Sequence, residues 1–369
     1  MKQILFFSTL FLMAAIFISC QKEEIETSEN SNPNFPTENS IYKVVAEEFN
    51  KEQYNSLLTA NETRLALLSN KAGGRNTRFL TVPDDYETIQ EAVDAASNGA
   101  TIYIKPGTYN ETVIIITPDL KMQAMEDVLL NGGFILNESA DNVRIQNFNI
   151  DISTSSNNSG ITAVAVSGGQ IVHNTITGQG DSGIKAISVD NMTIRNNDVS
   201  GMDMGIIIYS SSDFGSGSST NNTILNNIVT GNAIVGVQLQ GDSDNNKIIN
   251  NHIHYIGVDG NPSITILSVS DLISTLPELF GECDNNLVRS NVCHNSGIGI
   301  GITDGGSNNT IGPNNIFNTN TYFGIYLYGS SNNLVITNTA LENGICDIHV
   351  EQSRGNTFRR NNADCTWGL

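Results

Sequence analysis

Apolar and polar residues alternate over short stretches through most of the chain, and an asparagine recurs at a fixed place beside them. Each of eight asparagines comes three residues after an apolar anchor, and the anchors are about 23 residues apart, with two longer intervals. The asparagines are Asn174, Asn197, Asn227, Asn251, Asn291, Asn314, Asn338 and Asn361, and the anchors are Ile171, Ile194, Ile224, Ile248, Val288, Ile311, Val335 and Phe358. Because the strands are short and no helical spacing separates them, each repeat is predicted to be one coil of an all-β parallel β-helix.

The repeated asparagines are predicted to be structural. Stacked at the strand separation of about 4.8 Å, each side-chain amide can bond the next coil, which makes a ladder. Asparagine doublets such as Asn221/Asn222 and Asn245/Asn246 precede most anchors and are predicted to be turns, because Asn tolerates left-handed backbone. None of the eight asparagines is therefore a candidate site residue.

A short amphipathic helix is predicted ahead of the coils. Thr88-Ile89-Gln90-Glu91 has the sequence of a capping box, and one apolar helical face follows from it, formed by Ile89, Ala92, Val93 and Ala96. Thr101–Ile104 is predicted to be the first strand. Such a helix can cover the first coil, whose core would otherwise face water.

The segment from Val82 to Tyr86, with Gly107-Thr108-Tyr109 after it, resembles the entry segment of the pectin-lyase-like superfamily of right-handed parallel β-helices. Together with the asparagine-anchored coils, the resemblance covers roughly residues 78–366 and implies about eleven right-handed coils. The superfamily includes polysaccharide lyases, hydrolases, esterases and epimerases, phage tailspikes and non-enzymatic copper-maturation proteins, so the fold does not select an activity. The motifs that mark pectate lyases, polygalacturonases, pectin methylesterases and alginate epimerases are absent from the sequence.

The N-terminal region differs in composition from the coils. Residues 1–19 have the pattern of a signal peptide, and Cys20 directly after them resembles the lipobox cysteine of bacterial lipoproteins. The resemblance implies that Cys20 is lipidated, and Gln21-Lys22-Glu23-Glu24 resembles the export signal of Bacteroidetes-type surface lipoproteins. We therefore expect an outer-membrane lipoprotein with a disordered tether at 20–40, a helical spacer at 41–77 and the β-helix domain at 78–369.

The net charge of the chain limits the classes of partner that it can bind. The chain has 18 Lys and Arg against 38 Asp and Glu, a formal net charge of -20, so polyanions are repelled unless Ca²⁺ or a local basic groove intervenes. We expect no nucleic-acid partner, membrane attachment only through the N-terminal lipid, and a polysaccharide that is neutral or bridged by calcium. Calcium is the cofactor considered, with Asp242, Asp244 and Asp304 as candidate ligands.

Three histidines form one candidate site. His254 and His294 each come six residues after an anchor and should stack in adjacent coils, with His252 on the same side of its strand. The insertion 257–282 is predicted to overhang them. His252, His254 and His294 could hold a metal ion, or His254 and His294 could act in acid–base catalysis. The alternative is that they are ordinary polar residues on an outer strand face.

An acidic pair forms a second candidate site. Asp181 and Asp203 occupy similar places in successive coils, with Lys185 close by. Two carboxylates one or two coil spacings apart suit glycoside hydrolysis. Both aspartates also precede a glycine by two residues, and the alternative is a purely local role in turns.

Outward positions of the strands that follow the Gly-Ile or Gly-Val steps are predicted to form a carbohydrate-binding face, because aromatic and amide side chains can stack on and bond to sugars. These positions are Tyr209, Gln238, Gln240, Thr303, Tyr326, Tyr328, His349 and Glu351. The alternative is that the tyrosines serve only as good strand formers.

The remaining cysteines concern stability. Cys346 and Cys365 fall in neighbouring terminal coils and can form a disulfide that closes the open end. The repeat register places Cys293 in an inward column with Ile253, Ile316 and Ala340. Cys283 either pairs with Cys293 or stays a thiol.

The sequence thus predicts an envelope-anchored β-helix that binds or processes an extracellular polysaccharide, as a lyase or glycoside hydrolase if it is an enzyme. Two alternatives remain open. One is a non-catalytic surface adhesin or scaffold, and the other is a metal-handling envelope protein, which only the three histidines support.

Overall fold

A computed structural model of the protein describes residue 59 and residues 78–153, 158–257, 261–267 and 281–369. The predicted signal peptide, the tether, Cys20 and, apart from Thr59, the spacer lie outside the described residues. The coils belong to one compact unit, Tyr42–Leu369. No helix among the described residues has both the length and the apolar character needed to cross a membrane.

The described residues from 78 onwards form one short helix, α1 (Ile89–Ala95), and a long series of short strands. In chain order the strands are β1 (Phe79–Val82), β2 (Thr101–Ile104), β3 (Gly107–Tyr109), β4 (Thr112–Ile115), β5 (Lys121–Ala124), β6 (Val128–Asn131), β7 (Gly133–Leu136), β8 (Arg144–Gln146), β9 (Asn149–Asp151), β10 (Ser159–Val164), β11 (Gln170–Val172), β12 (Thr175–Thr177), β13 (Ser182–Ile187), β14 (Thr193–Arg195), β15 (Asp198–Ser200), β16 (Met204–Tyr209), β17 (Thr223–Leu225), β18 (Ile228–Thr230), β19 (Val235–Gln240), β20 (Lys247–Ile249), β21 (His252–His254), β22 (Pro262–Leu267), β23 (Leu287–Arg289), β24 (Val292–His294), β25 (Ile298–Thr303), β26 (Thr310–Ile311), β27 (Ile316–Asn318), β28 (Phe323–Tyr328), β29 (Leu334–Ile336), β30 (Cys346–Glu351), β31 (Thr357–Arg359) and β32 (Thr366–Trp367).

The strands stack into three parallel sheets, and a typical coil contributes one strand to each. Sheet 1 has twelve strands in the order β1-β2-β5-β8-β11-β14-β17-β20-β23-β26-β29-β31. Sheet 2 has nine, from β3 to β27, and sheet 3 has eleven, from β4 to β32. The result is a right-handed parallel β-helix of about eleven turns with almost no helix, which confirms the predicted fold class.

Helix α1 packs on the first coil as predicted, and one strand that was not predicted, β1, precedes it. Thr88 Oγ1 accepts from the Glu91 amide at 3.1 Å, and the Glu91 carboxylate accepts from the Thr88 amide at 3.3 Å, so the capping box is formed. Helix α1 packs against β1, β2 and β4. The prediction that Thr101–Ile104 is the first strand was wrong, because β1 precedes α1 and pairs in parallel with β2.

The apolar anchors form one inward column of sheet 1. Ile171, Ile194 and Ile224 pair in direct register in successive coils and have 0–1% of their surface exposed. The same register continues to the last coil, where Val335 pairs with Phe358. Because strand residues alternate between faces, the positions beside each anchor point outward and carry the polar residues of the repeat.

The main asparagine column forms the predicted ladder. The amide of Asn197 donates to Asn227 Oδ1 at 2.9 Å, and the Asn227 amide donates to Asn251 Oδ1 at 2.8 Å. Each side-chain amide also donates to a backbone carbonyl, as Asn251 Nδ2 does to Ile224 O at 3.0 Å. These asparagines are 1–2% exposed, so their hydrogen bonds satisfy backbone groups that water does not reach.

One member of the ladder was assigned wrongly. Asn315, and not Asn314, receives the hydrogen bond from the Asn291 amide, at 2.9 Å. Gly312-Pro313 adds one residue after the anchor Ile311, and Gly312 has a φ of +126°, which only glycine adopts readily. Asn314 occupies a left-handed turn position instead, with a φ of 66°.

The same extra residue corrects the column of Cys293. Phe317 pairs with Cys293 and is fully buried, whereas Ile316 points outward and is 39% exposed. The spacing of the repeat does not reveal such a one-residue bulge, and the only feature of the sequence that indicates it is the Gly-Pro pair.

The asparagine doublets do more than turn the chain. Their first members, such as Asn221 and Asn245, have left-handed backbone as predicted, with φ of 58° and 57°. Their second members form a second buried ladder, in which the Asn222 amide donates to Asn246 Oδ1 at 2.8 Å and the Asn246 amide to Asn286 Oδ1 at 2.8 Å. This second ladder was not predicted, because both members of each doublet were expected to be turn residues.

Four cysteines lie among the described residues, two in a disulfide and two as buried thiols. Cys346 and Cys365 form a disulfide with their Cα atoms 5.1 Å apart, which joins β30 to the chain just before β32. Cys283 and Cys293 are buried thiols, and burial raises the pKa of both. Neither is placed to act as a thiolate at neutral pH.

Candidate functional site

A single column of residues follows the line where sheet 2 turns into sheet 3. Each member stands directly before the first residue of a sheet 3 strand, and backbone hydrogen bonds link most neighbours, as from the Ile234 amide to Asp203 O at 2.8 Å and from the Tyr322 amide to Gly297 O at 2.9 Å. We call it the edge column, and its members are Asn158, Asp181, Asp203, Ile234, Asn261, Gly297, Tyr322 and Ile345. Most of them are partly or fully exposed, so the column is accessible along several coils.

The structure brings the predicted acidic pair together in this column. Asp181 and Asp203 precede β13 and β16, whose first residues pair directly, and the Met204 amide donates to Asp181 O at 2.8 Å. Lys185, four residues further along the chain in β13, forms an ion pair with the Asp181 carboxylate. The Ser182 hydroxyl donates to the same carboxylate at 3.2 Å. The neighbouring coils thus hold two carboxylates and one ammonium group side by side.

The two carboxylates have different surroundings. Burial, and after it the negative charge of Asp181, raises the pKa of Asp203. Asp181 has the ammonium of Lys185 against it, and its side chain is 14% exposed. Two carboxyl groups in different environments can divide the roles of acid and base between them. One coil spacing of about 4.8 Å is close to the separation of about 5–5.5 Å that retaining glycosidases use.

The predicted carbohydrate-binding residues share one face but do not form an open surface. Tyr209 pairs with Gln240, and Tyr326 pairs with His349, all on the outward side of sheet 3. Gln238 and Gln240 have no exposed surface, and Tyr209 has 1%. The predicted exposure of this face was therefore wrong for these residues.

A second hydrophobic cluster explains part of this burial. It lies outside the main core and contains Ile187, Ile207, Val235 and Tyr209, with Phe214 packed against it. Gln238 Nε2 donates to Gln240 Oε1 at 2.7 Å, so these two amides also bond each other.

The C-terminal end of the same face carries an aromatic stack. Tyr326 and Tyr328 have ring centroids 6.3 Å apart, and Tyr328 is partly exposed. His349 stacks on Trp367 at 4.5 Å, and its Nε2 lies 3.5 Å from the Glu351 carboxylate. Burial lowers the pKa of His349, against the opposite influence of Glu351. Thr303 is buried beside them, in register with Tyr328.

The three predicted histidines come together on the outward side of sheet 2. His254 pairs in register with His294, and the Nε2 atoms of His252 and His294 are 2.8 Å apart. The insertion does not begin as predicted, because Pro262–Leu267 is the regular strand β22 of sheet 3. Residues 258–260 and 268–280 of the predicted insertion lie outside the described residues.

The aspartates considered for calcium lie in the segments that follow two sheet 3 strands, Asp242 and Asp244 after β19 and Asp304 after β25. Asp244 Oδ1 accepts from the Asp284 amide at 2.7 Å, and burial raises the pKa of both Asp242 and Asp244. Asp304 has a left-handed φ of 56° at the end of β25. Across the part of the chain that the structure describes, no group of three or more His, Cys, Asp or Glu side chains is arranged to hold a metal ion. A calcium requirement remains a prediction.

Six members of the edge column were not predicted as site residues, and among these six Tyr322 and Asn261 have side chains that suit a sugar ligand. Tyr322 presents a partly exposed aromatic side chain, and Asn261 a partly exposed amide, on the same line as the acidic pair. Each stands one residue before a sheet 3 strand, as Asp181 and Asp203 do. That shared repeat position was readable in the sequence once the acidic pair had been aligned.

Solved structures of similar fold include enzymes whose names refer to alginate. An alginate lyase from Paenibacillus sp. str. FPU-7 matches with a TM-score of 0.57 at 14% identity, over 78% of this chain and 100% of the lyase. The periplasmic alginate epimerase AlgG matches with a TM-score of 0.50 at 14% identity, over 77% of this chain and 83% of the epimerase. At such identities the likeness concerns the fold.

Sequence comparison assigns the family directly. No curated protein matches the chain. The family model described as right handed beta helix region matches residues 126–269 and 279–368, which is more than half of the sequence. The chain belongs to the right-handed β-helix family, within the pectin-lyase-like superfamily.

Proposed function

We propose that the protein binds and processes an extracellular polysaccharide along the edge column, with the acidic pair as its chemical centre. The observation that carries the proposal is the adjacent placement of Asp181, Lys185 and Asp203 in neighbouring coils. A polymer that follows the solenoid axis can contact several coils at once. The alginate-acting proteins of similar fold support a polysaccharide as the ligand class.

The pair supports glycoside hydrolysis best. Asp203, whose raised pKa favours the protonated form, donates its proton to the glycosidic oxygen as that bond breaks. The Asp181 carboxylate attacks the sugar carbon as the leaving group departs and forms a covalent ester with it. Water then gives a proton to the Asp203 carboxylate and attacks the same carbon, which breaks the ester and releases Asp181. Lys185 holds the Asp181 side chain through the ion pair. Further along the column, Tyr322 offers a ring for a sugar to stack on.

The activity is tested with a panel of neutral and acidic polysaccharides, with and without Ca²⁺, analysed by size-exclusion chromatography after incubation with the protein. We expect one polymer to shorten, and Asp203→Asn to lower the rate by about 10²–10⁴-fold while binding is kept. Asp181→Asn should have a similar effect. Because Asp203 must carry a proton, activity should fall as pH rises through its elevated pKa.

Asp127→Asn is the matched control, because Asp127 is an exposed aspartate remote from the edge column whose left-handed φ of 60° suits asparagine. Full activity in Asp203→Asn and Asp181→Asn would contradict the assignment of the pair. New ultraviolet absorbance from an unsaturated sugar end would identify a lyase. If no polymer shortens but one co-elutes with the protein, the alternative of a non-catalytic adhesin or scaffold replaces catalysis.

We also propose that the protein is an outer-membrane lipoprotein displayed outward, with the organisation 1–19 signal peptide, 20–40 tether, 41–77 spacer and 78–369 β-helix. The lipobox-like Cys20 supports this proposal. In a bacterial host, the wild type should incorporate labelled palmitate and sediment with outer membranes. Cys20→Ser should abolish both, because the thiol that accepts the lipid is gone. Unchanged labelling of Cys20→Ser would contradict the proposal.

A further inference from the structure

Three imidazoles converge on the outward side of sheet 2, in neighbouring strands β21 and β24. His252 and His254 flank Ile253 in β21, and His294 follows Cys293 in β24. Ile253 and Cys293 are fully buried, so the histidines on either side of them point away from the core. His252 is exposed, and His254 and His294 are partly exposed, so ions in solution can reach the group.

The ring nitrogens face one another. The Nε2 atoms of His252 and His294 are 2.8 Å apart, and the ring centroid of His254 lies 4.5 Å from that of His252 and 5.2 Å from that of His294. The His254 and His294 rings are stacked with an interplanar angle of 1°. The Thr230 hydroxyl lies 3.3 Å from His254 Nδ1 and holds the orientation of that ring. Exposed imidazoles gain little free energy by packing together in water, whereas one cation can be coordinated by more than one of them at the same time.

The charge of the chain favours a cation at this group, because a net charge of -20 raises the local concentration of cations around the protein.

The nitrogen separation is compatible with a shared cation. Two nitrogens each about 2.0 Å from a cation lie about 2.8 Å apart when the angle between them is a right angle, and about 3.3 Å apart in a tetrahedron. The observed 2.8 Å, which is the length of a hydrogen bond between the two rings, also allows two adjacent positions of a tetragonal cation. Copper(II) and nickel(II) prefer that geometry, and copper binds more tightly in the general order of divalent metals.

We propose that His252 and His294 are the ligands of a surface site for a tetragonal divalent cation, copper(II) in preference to nickel(II) and zinc(II). Water completes the coordination, and His254 beside the pair covers one side of the ion. The site is independent of the proposed polysaccharide function and would persist if that function failed.

Isothermal titration of the untagged protein with copper(II), nickel(II) and zinc(II), together with electron paramagnetic resonance of the copper form, tests the site. We expect one copper(II) per chain with hyperfine splitting from two nitrogens, and weaker nickel(II) and zinc(II) binding. His252→Ala and His294→Ala should each weaken copper binding by about tenfold or more, a difference of about 1.4 kcal/mol or more. Both side chains lie on the outer face, so circular dichroism should show an unchanged fold.

His173→Asn is the matched control. His173 is another outward histidine, with a left-handed φ of 57° that asparagine tolerates, and it should leave copper binding unchanged. Copper affinity that is the same in the His252→Ala, His294→Ala double variant as in the wild type would overturn the proposal and leave a simple hydrogen-bonded histidine pair. Tighter binding of zinc(II) than of copper(II) would overturn the tetragonal geometry.

Discussion

Asn251→Ala is expected to lower the free energy of unfolding by about 4 kcal/mol. Asn251 sits in the middle of the main ladder with 1% of its surface exposed. Its Oδ1 accepts from the amide and the Nδ2 of Asn227 at 2.8 and 3.0 Å, and its Nδ2 donates to Ile224 O and Asn291 Oδ1, both at 3.0 Å. Alanine removes all four bonds and deprives the buried Asn227 amide and Ile224 O of these partners, each at a cost of about 1–3 kcal/mol, whereas Asn227 Nδ2 and Asn291 Oδ1 keep their bonds to Ile194 O and to the backbone amide of residue 251.

Urea denaturation followed by far-ultraviolet circular dichroism and by tryptophan fluorescence measures this effect. Trp367 is the single tryptophan and reports only the last coil, whereas circular dichroism reports all coils. Since each coil of a solenoid contacts only its neighbours, the variant should also separate the two transitions. Asn250→Gly is the control: Asn250 is exposed with a left-handed φ of 54°, and the change should cost less than about 1 kcal/mol. Equal stability of Asn251→Ala and the wild type would show that the ladder does not stabilise the fold.

The repeat allowed the architecture to be predicted from the sequence. A residue type that recurs at one position in each coil indicates directly which residues pair between neighbouring strands. Ile171, Ile194 and Ile224 pair as their spacing required, and Asp181 and Asp203 came together for the same reason. Where a coil contains an additional residue, the spacing predicts the wrong ladder position. Gly312-Pro313 shifted the ladder position from Asn314 to Asn315, since a bulge changes the count without changing the composition of the coil.

Exposure was harder to predict than register. Alternation along a strand shows that Tyr209 and Gln240 point away from the core, and the structure agrees. It cannot show that a second apolar cluster with Ile207 and Val235 forms on that side, because such a cluster depends on contacts between coils and loops. The edge column illustrates the converse, since Tyr322 became a candidate only when the strand ends of successive coils were aligned.

Gly299→Ala is expected to destabilise the protein by about 3 kcal/mol, because the corner between sheets 2 and 3 has no room for a methyl group. A Cβ on Gly299 would lie 2.5 Å from Gly324 O in the next coil and 2.8 Å from Phe317 Cβ. The carbonyl belongs to the backbone and cannot turn aside as a flexible side chain could. Glycines at the equivalent place of other coils, Gly183, Gly205 and Gly236, meet the same kind of obstacle.

Gly301→Ala in the same strand β25 is the matched control, since no described atom lies within 4 Å of a Cβ added there. Alanine at a compatible backbone position restricts the unfolded chain, so Gly301→Ala should leave stability unchanged or raise it by up to about 1 kcal/mol. Thermal unfolding of both variants side by side measures the difference, which isolates the crowding at the corner from the general effect of replacing glycine in a strand. Equal melting temperatures would show that the coils can move apart to admit a methyl group, and the close packing at this corner would then not limit the sequence.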